Sequence, residues 1–433
     1  MVAAASRIFF IIAWVTLLPG CDTRVDGREP TASAEIAGHA ETAGRAETAG
    51  RAETAGRAPV TEAETAFLAN HWKPIPPQGP PPEHFSTLES SLAPESCGAC
   101  HLQQYQDWQT SLHAKSMGPG IWGQLAEMGS ADAEFCQGCH APLAEQMGGI
   151  ASEVSDALYD PVLQQQGLVC AACHVRNHRR FGPPPRDDSI AASDPGAPLP
   201  HDGFSVQTAF TKGDFCRRCH QFEPGEFALN GKLIENTFEE WRASPYPAQG
   251  IHCQDCHMPE RRHLWRGIHD RTMVAEGVEI RVEIASGDHQ EGDVVAATIT
   301  VANTGVGHYF PTYVTPKVFV RGELLDMEAR VLPATVQQAT IGREVTLNLS
   351  QELFDTRIPP GEKRSVVYEQ RVPAQAGRLR ITVEVHPDHF YRQFFEAVLA
   401  GGGGGTGRAE LQSALAATQA SIYTLYQKEF ALR

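Results

Sequence analysis

The stretch Cys97-Gly98-Ala99-Cys100-His101 decides the reading of this chain, because its pattern returns four more times. The other copies are Cys136-Gln137-Gly138-Cys139-His140, Cys170-Ala171-Ala172-Cys173-His174, Cys216-Arg217-Arg218-Cys219-His220 and Cys253-Gln254-Asp255-Cys256-His257. Cys-x-x-Cys-His is the attachment pattern of a c-type haem. The two thiols take two vinyl groups of one porphyrin, and the two-residue gap lets both sulfurs reach one porphyrin edge. The His that follows then lies under the iron as proximal ligand. Five covalently bound haem c groups, each with its iron, are therefore expected. Structural zinc also uses Cys-x-x-Cys pairs, but needs neither a His at one fixed offset nor an odd number of pairs. A thioredoxin-like pair is normally single and lies in a βαβ context. Structural disulfides seldom recur in so fixed a local pattern.

Ten of the eleven Cys belong to these motifs, and the eleventh, Cys21, closes an N-terminal hydrophobic segment. Ile8 to Leu18 is too short for an ordinary membrane-spanning helix and has the length of a signal-peptide core. Leu18-Pro19-Gly20-Cys21 resembles a bacterial lipoprotein signal, in which cleavage precedes the Cys and its thiol is acylated; Pro19 departs from the usual small residue. Residues 1–21 are read as that signal, with Cys21 as the lipidation site. A cleaved secretory peptide and an uncleaved anchor are the alternatives. All three export the chain to the bacterial periplasm or cell envelope, where covalent haem attachment also belongs. Asp22 after Cys21 would favour inner-membrane retention in some bacteria.

Residues 22–95 read as a tether. Ala40-Glu41-Thr42-Ala43-Gly44-Arg45 recurs at 46–51 and 52–57, with a period of six that matches neither helix nor strand. Small and charged side chains cannot bury enough surface to offset chain entropy. Pro74, Pro76, Pro77, Pro80, Pro81 and Pro82 then stiffen the chain. The net charge of −16 argues against a nucleic-acid partner.

Residues 96–275 form the expected pentahaem domain, mainly short helices and loops. Five large cofactors on so little chain must supply much of their own core. Arg179 to Pro200 reads as a surface loop. Five irons have ten axial positions, the motifs fill five, and thirteen other His remain. His113 ends the run Tyr105 to His113, which reads as helical. Trp241-Arg242-Ala243-Ser244-Pro245-Tyr246 repeats its Trp-x-x-Ser-x pattern with Tyr246 in place of His113. The two halves are thus expected to be distant copies, the second lacking one internal ligand. His39, His71 and His84 fall in the tether. His252 is expected at solvent or a propionate. His178 lies in a basic cluster with Arg176, Arg179 and Arg180, where a propionate contact is the alternative to ligation. His289, His386 and His389 are expected on the surface of the next domain.

Cys-x-x-Cys-His followed by Tyr-x-x-Trp-x-x-Ser-x-His-Ala resembles the multihaem cytochrome family that includes the tetrahaem partner of hydroxylamine oxidoreductase. Gly167-Leu168-Val169-Cys170, Gly250-Ile251-His252-Cys253, Thr237 to Trp241, Cys256-His257-Met258-Pro259, His263 to Asp270 and Gly307 to Thr312 are similar to its members as well. The likeness spans about 95–315 and is specific for haem, not for a reaction. It implies distal ligands from such segments: His113, His263, His269 and His308, with His201 as the fifth. Tyr246 and Arg176-Asn177-His178 depart from the family pattern.

From 276 to 388 short alternating runs predict an Ig-like antiparallel β-sandwich: Val278–Ile284, Val294–Val301, Val318–Leu325, Arg343–Leu349, Ser365–Val372 and Leu379–Val385. The Gly307-His308 loop between strands could reach a haem. Residues 389–433 predict two helices, His389 to Ala400 and a stripe of Leu411, Leu415, Thr418, Ile422 and Leu425, separated by Gly401 to Gly405. The fold class is α + β, multidomain. The expected function is an exported pentahaem cytochrome relaying electrons between a redox donor and acceptor in the envelope, held to a membrane by lipid. The alternative is an oxidoreductase acting on a small nitrogen or sulfur species at an open iron. Tyr246 and the Arg176–Arg180 cluster would be its best candidates.

Overall fold

Alternation of apolar and polar residues builds strands in the C-terminal half. The structure, a computed structural model, describes residues 60–126, 128, 130–147, 158–186, 199–285 and 287–432. The expected signal segment, Cys21, the hexapeptide repeat and His39 lie outside the described residues. The strands are Val278–Ile284 (β1), Val294–Asn303 (β2), Lys317–Asp326 (β3), Gln337–Val345 (β4), Glu352–Asp355 (β5), Lys363–Arg371 (β6), Ala376–His386 (β7) and Tyr423–Ala431 (β8). They form two antiparallel sheets, ordered β6-β2-β1 and β5-β4-β3-β7-β8. Every second residue of β2 points inward: Val295, Ala297, Ile299 and Val301 are buried. They meet Val318 and Val320 of β3, Ile341 of β4, and Leu379, Ile381, Val383 and Val385 of β7 in one core. Each such Val, Leu or Ile side chain contributes about 1.5–3 kcal/mol by leaving water.

Three elements differ from the sequence reading, the first being the short edge strand Glu352–Asp355, which no alternating run announced. The fourth strand starts six residues early and ends at Val345, because Leu347 and Leu349 turn away to pack with Phe390 in a separate cluster. The last helix also stops early. Helices His389–Ala400 and Arg408–Ala420 form as expected, but the chain then extends, and Ile422 and Leu425 lie outside the helix. Tyr423, Leu425, Tyr426 and Phe430 pack on the sheet core instead. Aromatic residues suit a pleated, half-buried surface, and β7 offers an edge whose pairing with β8 fixes the C-terminus.

The segment 62–95 is folded, unlike the expected tether. Glu62–His71 (α1) is a helix closed by a capping box from Thr61 to Glu64. Arg176 holds its end, donating from Nε and a terminal guanidinium nitrogen to His71 O at 3.0 and 2.9 Å. Arg180 donates to Glu89 O, and Gln78 N donates to Glu145 at 2.7 Å. The basic cluster therefore staples this segment to the motif region. The buried polar carbonyls need those donors.

Among the described residues the motif region has only small apolar clusters, around Trp108 and Leu143 and around Leu125 and Ala141. Its helices are short: Leu102–Thr110 (α2), Ser130–His140 (α3), Thr237–Arg242 (α4) and Arg271–Gly277 (α5). The helices that end the chain are α6 (His389–Ala400) and α7 (Arg408–Ala420). Helix α7 docks on the Pro119–Leu125 helix, where a Cβ on Gly123 would stand 2.8 Å from Leu411. No described helix is long and apolar enough to cross a membrane.

Candidate haem-binding sites

Each motif begins or ends a helical turn, which brings both thiols and the His to one side. Cys136 to His140 close α3, while Cys170–His174 and Cys253–His257 are helices of their own. Cys97 lies on the Pro94–Gly98 helix, and Cys216 follows the turn Gly213–Phe215. All ten thiols are unpaired as disulfides. The motifs gather into a connected group. Cys97 contacts Cys170, Cys139 contacts Cys219, and Cys216 contacts Cys253. Cys173 lies within electrostatic reach of both Cys216 and Cys219. The fourth motif is therefore central, with the second, third and fifth around it and the first beyond the third.

The imidazoles supply the test of fit. A His nitrogen binds a transition metal at about 2.0 Å, and the ring centre lies about 1 Å further, so two rings on opposite sides of one ion sit about 6 Å apart. Three pairs that include a motif His have that spacing; His386 and His389, at 5.9 Å, are a fourth His pair that includes none. His113 faces His220 at 6.3 Å between ring centres, His174 faces His263 at 6.2 Å, and His257 faces His308 at 6.3 Å. The planes of the last pair differ by only 6°. Each of the three joins one motif His to one His from outside the motifs.

Hydrogen bonding at the other nitrogen points the same way. Nδ1 of His174, His263 and His308 meets the carbonyl of Phe181 at 2.8 Å, Arg261 at 3.0 Å and Tyr309 at 2.9 Å. His257 Nδ1 meets Arg266 O at 2.5 Å, and His140 Nδ1 meets Ser116 O at 2.7 Å. Donation from Nδ1 leaves Nε2 with its lone pair for a metal and orients the ring. Burial holds the imidazoles neutral, the state that ligates: His113 is pushed down to about 3, and His257 and His263 to about 4.

The remaining candidates divide. His201 donates through Nδ1 to Gly203 O at 2.8 Å and lies within electrostatic reach of His101. His269 does not join the set, because its Nε2 is engaged by Asp388 Oδ2 at 2.9 Å; the carboxylate occupies the nitrogen that would face an iron. Among the described residues no second imidazole stands at the 6.2–6.3 Å spacing from His140 or from His101; His201 lies in the neighbourhood of His101, and His220 and His113 in that of His140. Glu235 lies within reach of the Cys139 thiol, and Tyr391 within reach of Cys136. Burial raises the Glu235 carboxyl to about 7. Tyr246 packs beside Gly307, next to His308. His71 meets Cys173 O at 2.9 Å, His178 meets Gly79 O at 2.9 Å, and His84 meets Asp202. His252, expected at solvent or a propionate, is buried, which excludes the first of these, and accepts from Gly213 N at 3.1 Å. His389 is likewise buried, against Phe319 and His386.

Two carboxylates escaped the sequence reading. Asp107 and Glu240 are both nearly inaccessible and both hold a segment that carries a paired His. The signal was present: each precedes the Trp of the repeated Trp-x-x-Ser pattern, Trp108 and Trp241.

Residues 96–175 match the family model described as cytochrome c554 and c-prime. A penta-heme cytochrome c552 from Thermochromatium tepidum is similar in structure, with a TM-score of 0.57 at 18% identity, over 80% of this chain and 100% of that one. Both findings support a multihaem c-type cytochrome. They support covalently bound haem and a haem-based role in electron transfer on this mixed α/β fold. Two other structures carry no argument. One is an alkylpurine DNA glycosylase from Pseudomonas fluorescens, with a TM-score of 0.18, 11% identity, 43% of this chain and 36% of that one. The other is the sporulation control protein Spo0M from Bacillus subtilis, with a TM-score of 0.12, 12% identity, 25% of this chain and 42% of that one. No match was found among curated protein sequences.

Proposed function

We propose that this cytochrome carries five haem c groups and relays electrons between a donor and an acceptor in the bacterial envelope. The observation that carries this reading is the three imidazole pairs at 6.2–6.3 Å, each joining a motif His to a second His. An iron ligated on both faces exchanges electrons without opening a coordination position, which is the chemistry the cofactor supplies. The chain's part is to hold the imidazoles neutral and oriented, and to keep the five attachment points adjacent. The fourth pair in this reading is His101 with His201. The two sheets are read as an Ig-like sandwich whose 304–316 loop carries His308. Holoprotein matured in a host with the haem-attachment machinery is expected to carry five haems by intact mass. Cys100→Ser is expected to leave one haem on a single thioether and to lower the yield of holoprotein. A fully matured mass with four haems or fewer overturns the count.

Lipid on Cys21 would tether the body to a membrane. Cys21→Ser is expected to move the protein into the soluble envelope fraction with unchanged haem content. Retention in the membrane after a high-salt wash would instead make Ile8 to Leu18 an anchor in its own right.

A second reading rests on His140, which lacks an opposing imidazole among the described residues. With Glu235 and Tyr391 beside that motif, an open iron there would suit reduction or oxidation of a small nitrogen or sulfur species. Electron paramagnetic resonance of the oxidised protein separates the two. Five low-spin signals favour the relay alone; four low-spin signals with one high-spin signal favour the second reading.

A further inference from the structure

Asp107-Trp108 and Glu240-Trp241 hold matching places in the two copies of the Trp-x-x-Ser pattern, and the match extends to what they touch. Trp108 Nε1 donates to Leu168 O at 2.9 Å, and Trp241 Nε1 donates to Ile251 O at 3.1 Å. Leu168 stands two residues before Cys170, and Ile251 two residues before Cys253. Each indole thus fixes the backbone that enters a motif. Ser111 and Ser244 close the two helices alike, donating to Trp108 O at 2.7 Å and Trp241 O at 2.6 Å.

The acid before each Trp reaches another segment. Asp107, 4% exposed, accepts from Arg262 twice at 2.7 Å and from the His263 N–H at 3.0 Å. Glu240, 6% exposed, accepts from Arg357 at 2.7 Å, from the Tyr309 N–H at 3.2 Å and from the Thr312 hydroxyl at 3.1 Å. His263 faces His174, and His308 faces His257. In each copy the Trp therefore holds the segment of one imidazole while its neighbour in sequence holds the segment of the opposing one. Consecutive helical residues point about 100° apart, so a single turn can reach both segments.

We infer that these two acid–Trp dipeptides are positioning residues, each setting one imidazole pair about one iron. Asp107-Trp108 sets His174 and His263; Glu240-Trp241 sets His257 and His308. The inference rests on the ligand assignments proposed above. Its physical basis is that His263 and His308 lie outside regular helices and strands, where ordering a ligand costs chain entropy. A buried carboxylate that accepts a main-chain N–H and an Arg makes stronger, charge-assisted bonds, and such outer contacts orient metal ligands.

The test uses the full-length holoprotein and resonance spectra of its oxidised form. His263→Ala and His308→Ala first identify which low-spin signal belongs to each pair. Asp107→Asn is then expected to shift or lose only the signal removed by His263→Ala, and Glu240→Gln only that removed by His308→Ala. Thr312→Val, which leaves the Arg357 pair intact, is expected to shift the same signal as Glu240→Gln by a smaller amount. Added imidazole is expected to restore a low-spin signal in each carboxamide variant. Combining Glu240→Gln with His308→Ala is expected to match His308→Ala alone, whereas combining it with His263→Ala is expected to show both changes. The inference is overturned if both carboxamide variants keep the wild-type signals. It is equally overturned if either one disturbs all signals together, which would be a general structural role. If the two His variants change no signal, the ligand assignments fail, and the inference fails with them.

Discussion

Replacing His113 with Ala is expected to turn one iron from low spin to high spin while haem content, fixed by thioethers, stays unchanged. His113 is enclosed by the motif region, its ring 6.3 Å from His220 and 4.6 Å from Trp265. Loss of a neutral imidazole weakens the ligand field and opens a face of the iron. The reduced variant is expected to bind one equivalent of carbon monoxide more than wild type, and imidazole in solution to reverse the change. The site makes the effect large. The fourth motif touches the second and fifth through thiol contacts and lies beside the third. Altering its potential should therefore slow electron exchange among the others, seen as biphasic reduction in stopped flow. Among the described residues His113 Nδ1 has no hydrogen-bond partner, unlike the Nδ1 atoms of His263 and His308. It is thus the less basic ligand, and the fourth haem is expected to be the easier to reduce. An unchanged low-spin spectrum in His113→Ala would remove this His from the ligand set.

The motifs were legible because covalent attachment writes itself into local spacing: two Cys and a His must lie within one turn. His113, His263 and His308 were named from segments resembling a cytochrome family, and the structure sets each opposite a motif His. His269 came from the same segment as His263, yet the structure turns it to Asp388. That contact joins residues more than a hundred positions apart, so no local pattern could announce it. Distance in sequence also hid the folding of residues 62–95. Its prolines and polar residues read as a spacer, because its anchors, Arg176 and Arg180, lie about a hundred residues later on a small hairpin, Val175–Arg176 paired with Arg179–Gly182, whose second strand begins where the sequence suggested a surface loop. The strand Tyr423–Ala431 was hidden differently. Its residues continue a helical stripe begun at Leu411, and only the free edge of β7 decides for extension. Asp107 and Glu240 were visible in the repeat but silent, since an acid on a short helix is usually solvated. Burial beside an Arg gives each of them a role.

Arg343→Met is expected to loosen the sheet domain from the motif region, at a cost of about 3 kcal/mol. Arg343 is fully buried and rises from β4 into a hairpin of the other domain. It donates to Leu233 O at 2.6 Å and to Leu229 O and Lys232 O at 3.0 Å, and pairs with Glu352 at 2.7 Å. Met keeps most of the volume but leaves three buried carbonyls without these donors. Removing one partner of a buried pair usually costs about 3–5 kcal/mol. The lower end applies because Lys232 still neutralises Glu352 at 2.8 Å. For a unit of this size the thermal midpoint should fall by about 10 °C. Arg330→Met is the matched control. Its partners Asp326 and Glu328 lie on a turn where the Arg330 side chain is 74% exposed, so solvent screening leaves little to lose and the melting point is expected to stay close to wild type. The same hairpin positions Lys232 against Asp355, which in turn pairs with Arg357 and so with Glu240. A loosened hairpin should therefore also reach His308, and the signal of the near-parallel His257–His308 pair should broaden in Arg343→Met but not in Arg330→Met. Equal melting of the two variants would show that the domains are joined elsewhere.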